Sequence, residues 1–127
     1  MTVICVVGDG SWVFGHPISA YWAAQRQRSP FLTVIFNNQQ YYATVEAILS
    51  VAPEGFARKF GNYPACGLPK APTYSKVAVA LGLWAKTVED PTELPFVLAA
   101  ARQEVRGGRS AVVDICVSAH TPEQEDE

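Results

Sequence analysis

The 127-residue chain is the size of one domain, and its 49% hydrophobic content is enough for a buried core. The net charge of −2 is smaller than the four acids of the last seven residues, TPEQEDE, so the rest of the chain is slightly positive and has no electrostatic footprint for nucleic acid. Apolar runs are strand-sized and fall short of the ~20 residues a membrane helix needs, and no basic region followed by a long apolar stretch opens the chain, so no membrane association and a cytoplasmic (or soluble organellar) location are expected.

In chain order, Val3 to Val7 (VICVV) is the first predicted strand, followed at once by Gly8-Asp9-Gly10-Ser11. HPISAYWAAQRQR then reads as a helix: Pro17 suits the first turn, Ile18, Tyr21, Trp22 and Gln25 have helical spacing, and the closing arginines complement the helix dipole. Phe31 to Phe36 (FLTVIF) is the second strand. Both strands are apolar on both faces, as buried parallel strands are. Residues 39 to 72 are rich in Pro and Gly and predict one weak helix within a long irregular segment.

Ser75 to Leu81 predicts a short helix stopped by Gly82, and Leu83 to Val88 a third strand. Asp90-Pro91 with Glu93 signals the start of a longer helix with an apolar stripe at Leu94, Val97, Leu98, Ala101 and Val105 and a Gly107-Gly108 stop. Pro95 is late for that cap, which leaves Thr92 as the other start. Ser110 to Val117 (SAVVDICV) is the fourth strand. The alternation predicts an open α/β domain with a mainly parallel sheet flanked by helices, spanning residues 1–120. Residues 121–127, with concentrated like charge and no apolar partner, are expected to be a disordered and dispensable tail.

Cys5, Cys66 and Cys116 are odd in number and have neither CxxC nor His-pair spacing, so no disulfide framework or zinc site is expected, and Cys5 and Cys116 read as buried strand residues. Other polar residues have ordinary readings. His16 suits a helix start better than acid–base work, Tyr41 and Tyr42 could flank a ligand or simply pack, and His120 adjoins the tail. Asp114 interrupts a strand and is expected to pair with a base or face solvent; Glu46, Glu54 and Arg58 are expected on exposed faces.

Ligands in open parallel sheets bind beyond the carboxyl ends of the strands. Two polar clusters fall there, Gly8-Asp9-Gly10-Ser11 after the first strand and Asn37-Asn38-Gln39-Gln40 after the second. Glycines permit close backbone approach, Asp9 offers a hard anionic oxygen and Asn38 a neutral carbonyl oxygen, a pair suited to a Mg2+ ion that holds a phosphate. Taken singly, the first cluster is also compatible with a simple turn and the second with an Asx-turn.

Strand, GDGS, helix, strand and NN, with 26 residues between Gly10 and Asn37, resembles the signature of thiamine-diphosphate-dependent enzymes. The segment from Pro72 to Val117 is similar to the C-terminal end of acetolactate synthase, benzoylformate decarboxylase and their relatives, so the resemblance covers nearly the whole chain. It implies thiamine diphosphate and Mg2+ as cofactors. Asp9, Asn38 and the main-chain oxygen of Gln40 would be the metal ligands, and Gly8, Gly10 and Ser11 would lie near the diphosphate. The implied reaction is decarboxylation of a 2-oxo acid followed by protonation or by ligation to a second carbonyl compound.

This sequence departs from the family pattern in three places. The GDG-to-NN spacing is longer than in most acetolactate synthases, NNQQYY lacks the small residue many relatives carry two places after NN, and neither the glutamate that activates the aminopyrimidine nor the apolar wedge beneath the cofactor can be placed. A subunit, a truncated product or a fragment is therefore expected, inactive without a pyrimidine-binding domain or subunit and associated with one as a homo- or hetero-oligomer. The rival expectation is a non-catalytic Mg-diphosphate module that associates with an intact relative.

Overall fold

The computed structural model describes residues 1–68 and 73–119. His120 and the expected acidic tail lie outside the described residues. Four strands, β1 (Ile4–Gly8), β2 (Leu32–Asn37), β3 (Trp84–Val88) and β4 (Ala111–Cys116), form one sheet in the order β1-β2-β4-β3, with every neighbouring pair parallel. Among the described residues six helices connect them: α1 (Asp9–Phe14), α2 (Pro17–Arg26), α3 (Tyr42–Val51), α4 (Phe56–Lys59), α5 (Tyr74–Ala80) and α6 (Leu94–Arg106).

Partners in register point to the same face of a parallel sheet, and two cores follow. On one face, Leu32 and Val34 of β2, Ala111 and Val113 of β4 and Val88 of β3 meet Val97, Ala101 and Val105 of α6. That set includes three members of the stripe expected from sequence; Leu94 and Leu98 pack at its margin. On the other face, Ile35, Val112 and Leu83 meet Trp12 of α1, Tyr21 of α2, and Tyr74 and Ala78 of α5.

The strand order corrects one expectation. β1 is apolar on both faces yet is an edge of the sheet, because β2 turns its other side to β4. Helix α6 packs on β4, β3 and β2, and Ile4 and Val6, level with Leu32 and Val34, remain 57% and 61% exposed. Cys5 and Cys116 are likewise exposed, at the edge strand and at a strand end, instead of buried; all three cysteines are free thiols.

Three local differences have simple causes. Among its described residues the segment between β2 and α5 holds two helices, α3 and α4, instead of one; YATVEAILSV has enough helix-forming and apolar residues for α3, which buries Val45. Helix α1 begins at Asp9, with Gly8 as its N-cap residue, so the Gly-Asp-Gly segment is a strand-to-helix junction. Before α6 the chain first makes a 3-10 turn, Pro91–Glu93, in which Asp90 Oδ1 accepts from Thr92 N at 2.8 Å. Pro95 thereby falls in the first turn of α6, where its missing N–H is harmless, and Glu93 pairs with Lys86 at 3.0 Å instead of closing a capping box.

Burial decides what substitutions in the sheet cost. Val113→Ala, at a fully buried site, is expected to destabilise the chain by about 2 kcal/mol, from lost apolar transfer plus a residual cavity. Val6→Thr on the exposed edge should change stability by less than about 0.5 kcal/mol. Denaturant titration of the two variants checks the contrast.

Candidate functional site

The site is built where β1 and β2 end together. Gly8 is level with Phe36, so the residues that follow, Asp9 on one chain segment and Asn37 to Gln40 on the other, emerge side by side at the carboxyl edge. Asp9 is only 1% exposed. Its Oδ1 accepts from the Gly10 N–H at 2.9 Å, while Oδ2 is buried without a partner. Desolvation raises its carboxyl above the ordinary 3.8, and the backbone amides of Gly10, Gln39 and Gln40 partly pull it back. The turn after β2 therefore acts electrostatically on the carboxylate that follows β1.

Asn38 forms the Asx-turn that its sequence allows: its Oδ1 accepts from Gln40 N at 3.0 Å while Gln39 adopts a left-handed φ of 57°. An amide oxygen has two lone pairs, so this bond orients Asn38 Oδ1 and leaves it able to ligate. The turn is anchored from behind by an antiparallel bridge between Gln40 and Gly67, with Tyr41 N donating to Cys66 O at 2.7 Å and Leu68 N to Gln39 O at 2.7 Å.

The two glycines are not equivalent. A Cβ on Gly8 would meet nothing within 4 Å, whereas one on Gly10 would lie 2.5 Å from the Tyr41 ring. Tyr41 thus packs against the bare backbone of Gly10, and both border an open cleft with Ser11, Phe14, Gly15 and Thr44. Ser11 is exposed there; Tyr42 is the first residue of α3. His16 caps α2 in a left-handed conformation, as a helix-start residue, and Glu46, Glu54 and Arg58 are exposed.

Two polar networks support these loops. Trp12 Nε1 donates to the Tyr21 hydroxyl at 3.4 Å, which donates to Thr33 Oγ1 at 2.7 Å, tying α1 and α2 to β2. Asp114, expected to face a base or solvent, is instead 1% exposed and accepts from neutral donors: Asn37 Nδ2 at 3.0 Å and Thr87 Oγ1 at 3.3 Å. Burial is the main cause that raises its carboxyl, with the charge of Asp9 adding to the shift. Tyr74, packed edge-on against Trp12 at 5.2 Å, has a buried hydroxyl pushed up to about 12 by burial and then by Asp9 and Asp114.

Among the described residues, the buried side-chain polar atoms without a partner are Asp9 Oδ2, Asn37 Oδ1 and the Tyr74 hydroxyl. Such an atom is costly unless something absent from the chain satisfies it. Asp9 Oδ2, an oriented amide oxygen on Asn38 and the main chain at Gln40 make a hard-oxygen set that fits Mg2+, and the bare backbone at Gly10 fits close approach of a diphosphate. No group of three or more His, Cys, Asp or Glu that could hold a metal occurs among the described residues, and a site with one carboxylate and two carbonyl oxygens contains none. Asn37 and Tyr74 are the site's additional residues. The first is signalled in sequence only by standing beside Asn38, the second by nothing beyond an aromatic residue at a helix start.

An all-parallel sheet with oxygen donors clustered beyond two adjacent strand ends defines an open α/β ligand-binding domain of the doubly wound class. Within that class the chain belongs to the thiamine pyrophosphate enzymes: residues 1–115 match the family's C-terminal TPP binding domain. Among solved structures, a thiamine diphosphate-dependent 4-hydroxybenzoylformate decarboxylase of Rhodococcus jostii RHA1 matches with a TM-score of 0.69 and 19% identity over 94% of this chain. A benzoylformate decarboxylase of Polynucleobacter necessarius matches at 0.68 and 18% over 94% of this chain. At these identities the likeness shows the fold, and the chain spans 20% of the length of either structure. A comparison with curated proteins finds no significant match. Among the described residues no helix is long and apolar enough to cross a membrane.

Two outcomes follow from the geometry. Gly10→Ala is expected to cost about 1–3 kcal/mol through the Tyr41 clash, and less in a Tyr41→Ala background; denaturant melts of the four proteins check this. Raised folded-state values mean that Asp9 and Asp114 bind protons more tightly folded than unfolded, so metal-free stability should fall as pH rises from about 4 through the shifted values and level off above them. Asp9→Asn should flatten part of that slope in thermal melts across pH.

Proposed function

We propose that the chain binds thiamine diphosphate through Mg2+ and forms the diphosphate-binding part of a 2-oxo acid decarboxylase or carboligase of the acetolactate synthase and benzoylformate decarboxylase type. The observation that carries this reading is the buried Asp9 carboxylate whose Oδ2 lacks a partner, set beside the Asn38 turn in a chain of this family. When bound, the cofactor supplies the carbanion-stabilising chemistry.

The chain's own work is to bind and orient. Asp9, Asn38 and the Gln40 carbonyl hold the metal, and Gly8, Gly10 and Ser11 approach the diphosphate. Tyr41 closes one side of the cleft beside Gly10, limiting how far the ligand can shift. The decarboxylase titles of the two structural neighbours support the lyase side of this reading. A pyrimidine-binding domain or subunit completes the pocket, and the chain alone turns over no 2-oxo acid.

Asp9→Asn is expected to weaken Mg2+-dependent binding of thiamine diphosphate by about tenfold or more, since even outer-shell changes at metal sites cost on that order. Calorimetric titration with and without Mg2+ measures it, and undiminished metal-dependent binding in the variant would sink the ligand assignment. Cofactor binding without turnover in every assembly with pyrimidine-domain partners would favour the non-catalytic module instead.

A further inference from the structure

Among the described residues, Asp114 is the second buried carboxylate, and no ion pair is formed to it. On β4 it points to the α5 face, level with Ile35 of β2 and Thr87 of β3. Its Oδ1 takes the Asn37 amide and its Oδ2 the Thr87 hydroxyl, and Thr87 Oγ1 lies 2.7 Å from Ser75 Oγ on α5. Asn37 is gripped twice, by Asp114 of β4 and by the residue that follows β4, since its main-chain carbonyl also accepts from Val117 N at 2.9 Å. The next residue is Asn38, and the left-handed step at Gln39 follows.

A carboxylate held by neutral donors inside a sheet is destabilising relative to a well-packed apolar side chain, so its local contribution to stability does not explain it. Its geometry does something an apolar residue cannot: it fixes the side chain immediately before the Asx-turn. We propose that Asp114 is a positioning residue, clamping Asn37 so that Asn38 and the Gln40 carbonyl are held level with Asp9. The inference rests on the reading of Asp9, Asn38 and Gln40 as metal ligands and adds to it a residue from the opposite end of the sequence.

The test measures Mg2+ affinity in the presence of thiamine diphosphate, beside the thermal midpoint of each metal-free variant. Asp114→Leu and Asn37→Ala should each weaken Mg2+ binding by about tenfold, and together no further, because they break one bond from its two ends. Asp114→Asn keeps an oxygen that accepts from Asn37 and should retain the affinity. Retention there separates positioning from a contribution of charge.

The proposal is overturned if Asp114→Leu folds and binds Mg2+ normally, if Asp114→Asn loses as much as Asp114→Leu, or if the two single losses add. Should Asp114→Leu not fold, Asn37→Ala at the half-buried end carries the test, and unchanged affinity in that variant overturns the clamp. Asp9→Ala is the control. If it leaves metal-dependent binding intact, the ligand reading fails and the clamp falls with it; if it abolishes binding while the clamp variants do not, the clamp alone is wrong.

Discussion

The arrangement at the carboxyl edge depends on a carboxylate taken out of water without a complete set of partners. Asp9 is held in that state by its position: it is the first residue past β1 and the first of α1, so its backbone cannot shift toward solvent without unmaking the junction. Burial opposes its charge, and a few backbone amides offset only part of the penalty. The domain therefore carries a local instability at the point where a cation would remove it, a common relation between stability and function.

Rigid packing on both sides keeps that instability from relaxing. Trp12, Tyr21 and Thr33 bind α1 and α2 to β2 through two hydrogen bonds, and Tyr21 stacks on Phe31 at 5.2 Å. Across the sheet, Asn37, Asp114, Thr87 and Ser75 link β2, β4, β3 and α5 in one line. Tyr74 packs edge-on against Trp12, and its buried, unpartnered hydroxyl is influenced electrostatically by Asp9 and Asp114. Polar contacts placed this deep add little net stability but allow few alternative packings.

The strands were legible because runs such as LTVIF and AVVDIC have few other ways to satisfy their side chains, and all four lie within one or two residues of expectation. The nearness of the GDG and NN segments was legible because each follows a predicted strand of one βαβ unit, and the structure sets those two strand ends side by side. The edge position of β1 was not, since an apolar strand reads the same whether or not a helix covers it. Asp114 was misjudged for a related reason: a lone acid within Val-Val-Asp-Ile is as compatible with solvent as with a buried amide until strand order places Asn37 beside it. The Tyr41 ring against Gly10 depends on a left-handed step at Gln39, which no residue pattern announced.

Asp9 hangs from a strand that pairs on one side only, and this bears on how the domain opens. Amides at a sheet edge exchange with solvent through small local excursions, while those of β4, paired on both sides, exchange only when much more of the fold comes apart. A ligand that grips Asp9 and the turn after β2 ties this edge strand to its neighbour, so its binding free energy is delivered to one edge of the sheet. Slowed exchange on ligation at Asp9 would accordingly be concentrated in β1 and the start of α1, with β4 scarcely altered, so the strand leading into the carboxylate is the one whose order would answer to a ligand there.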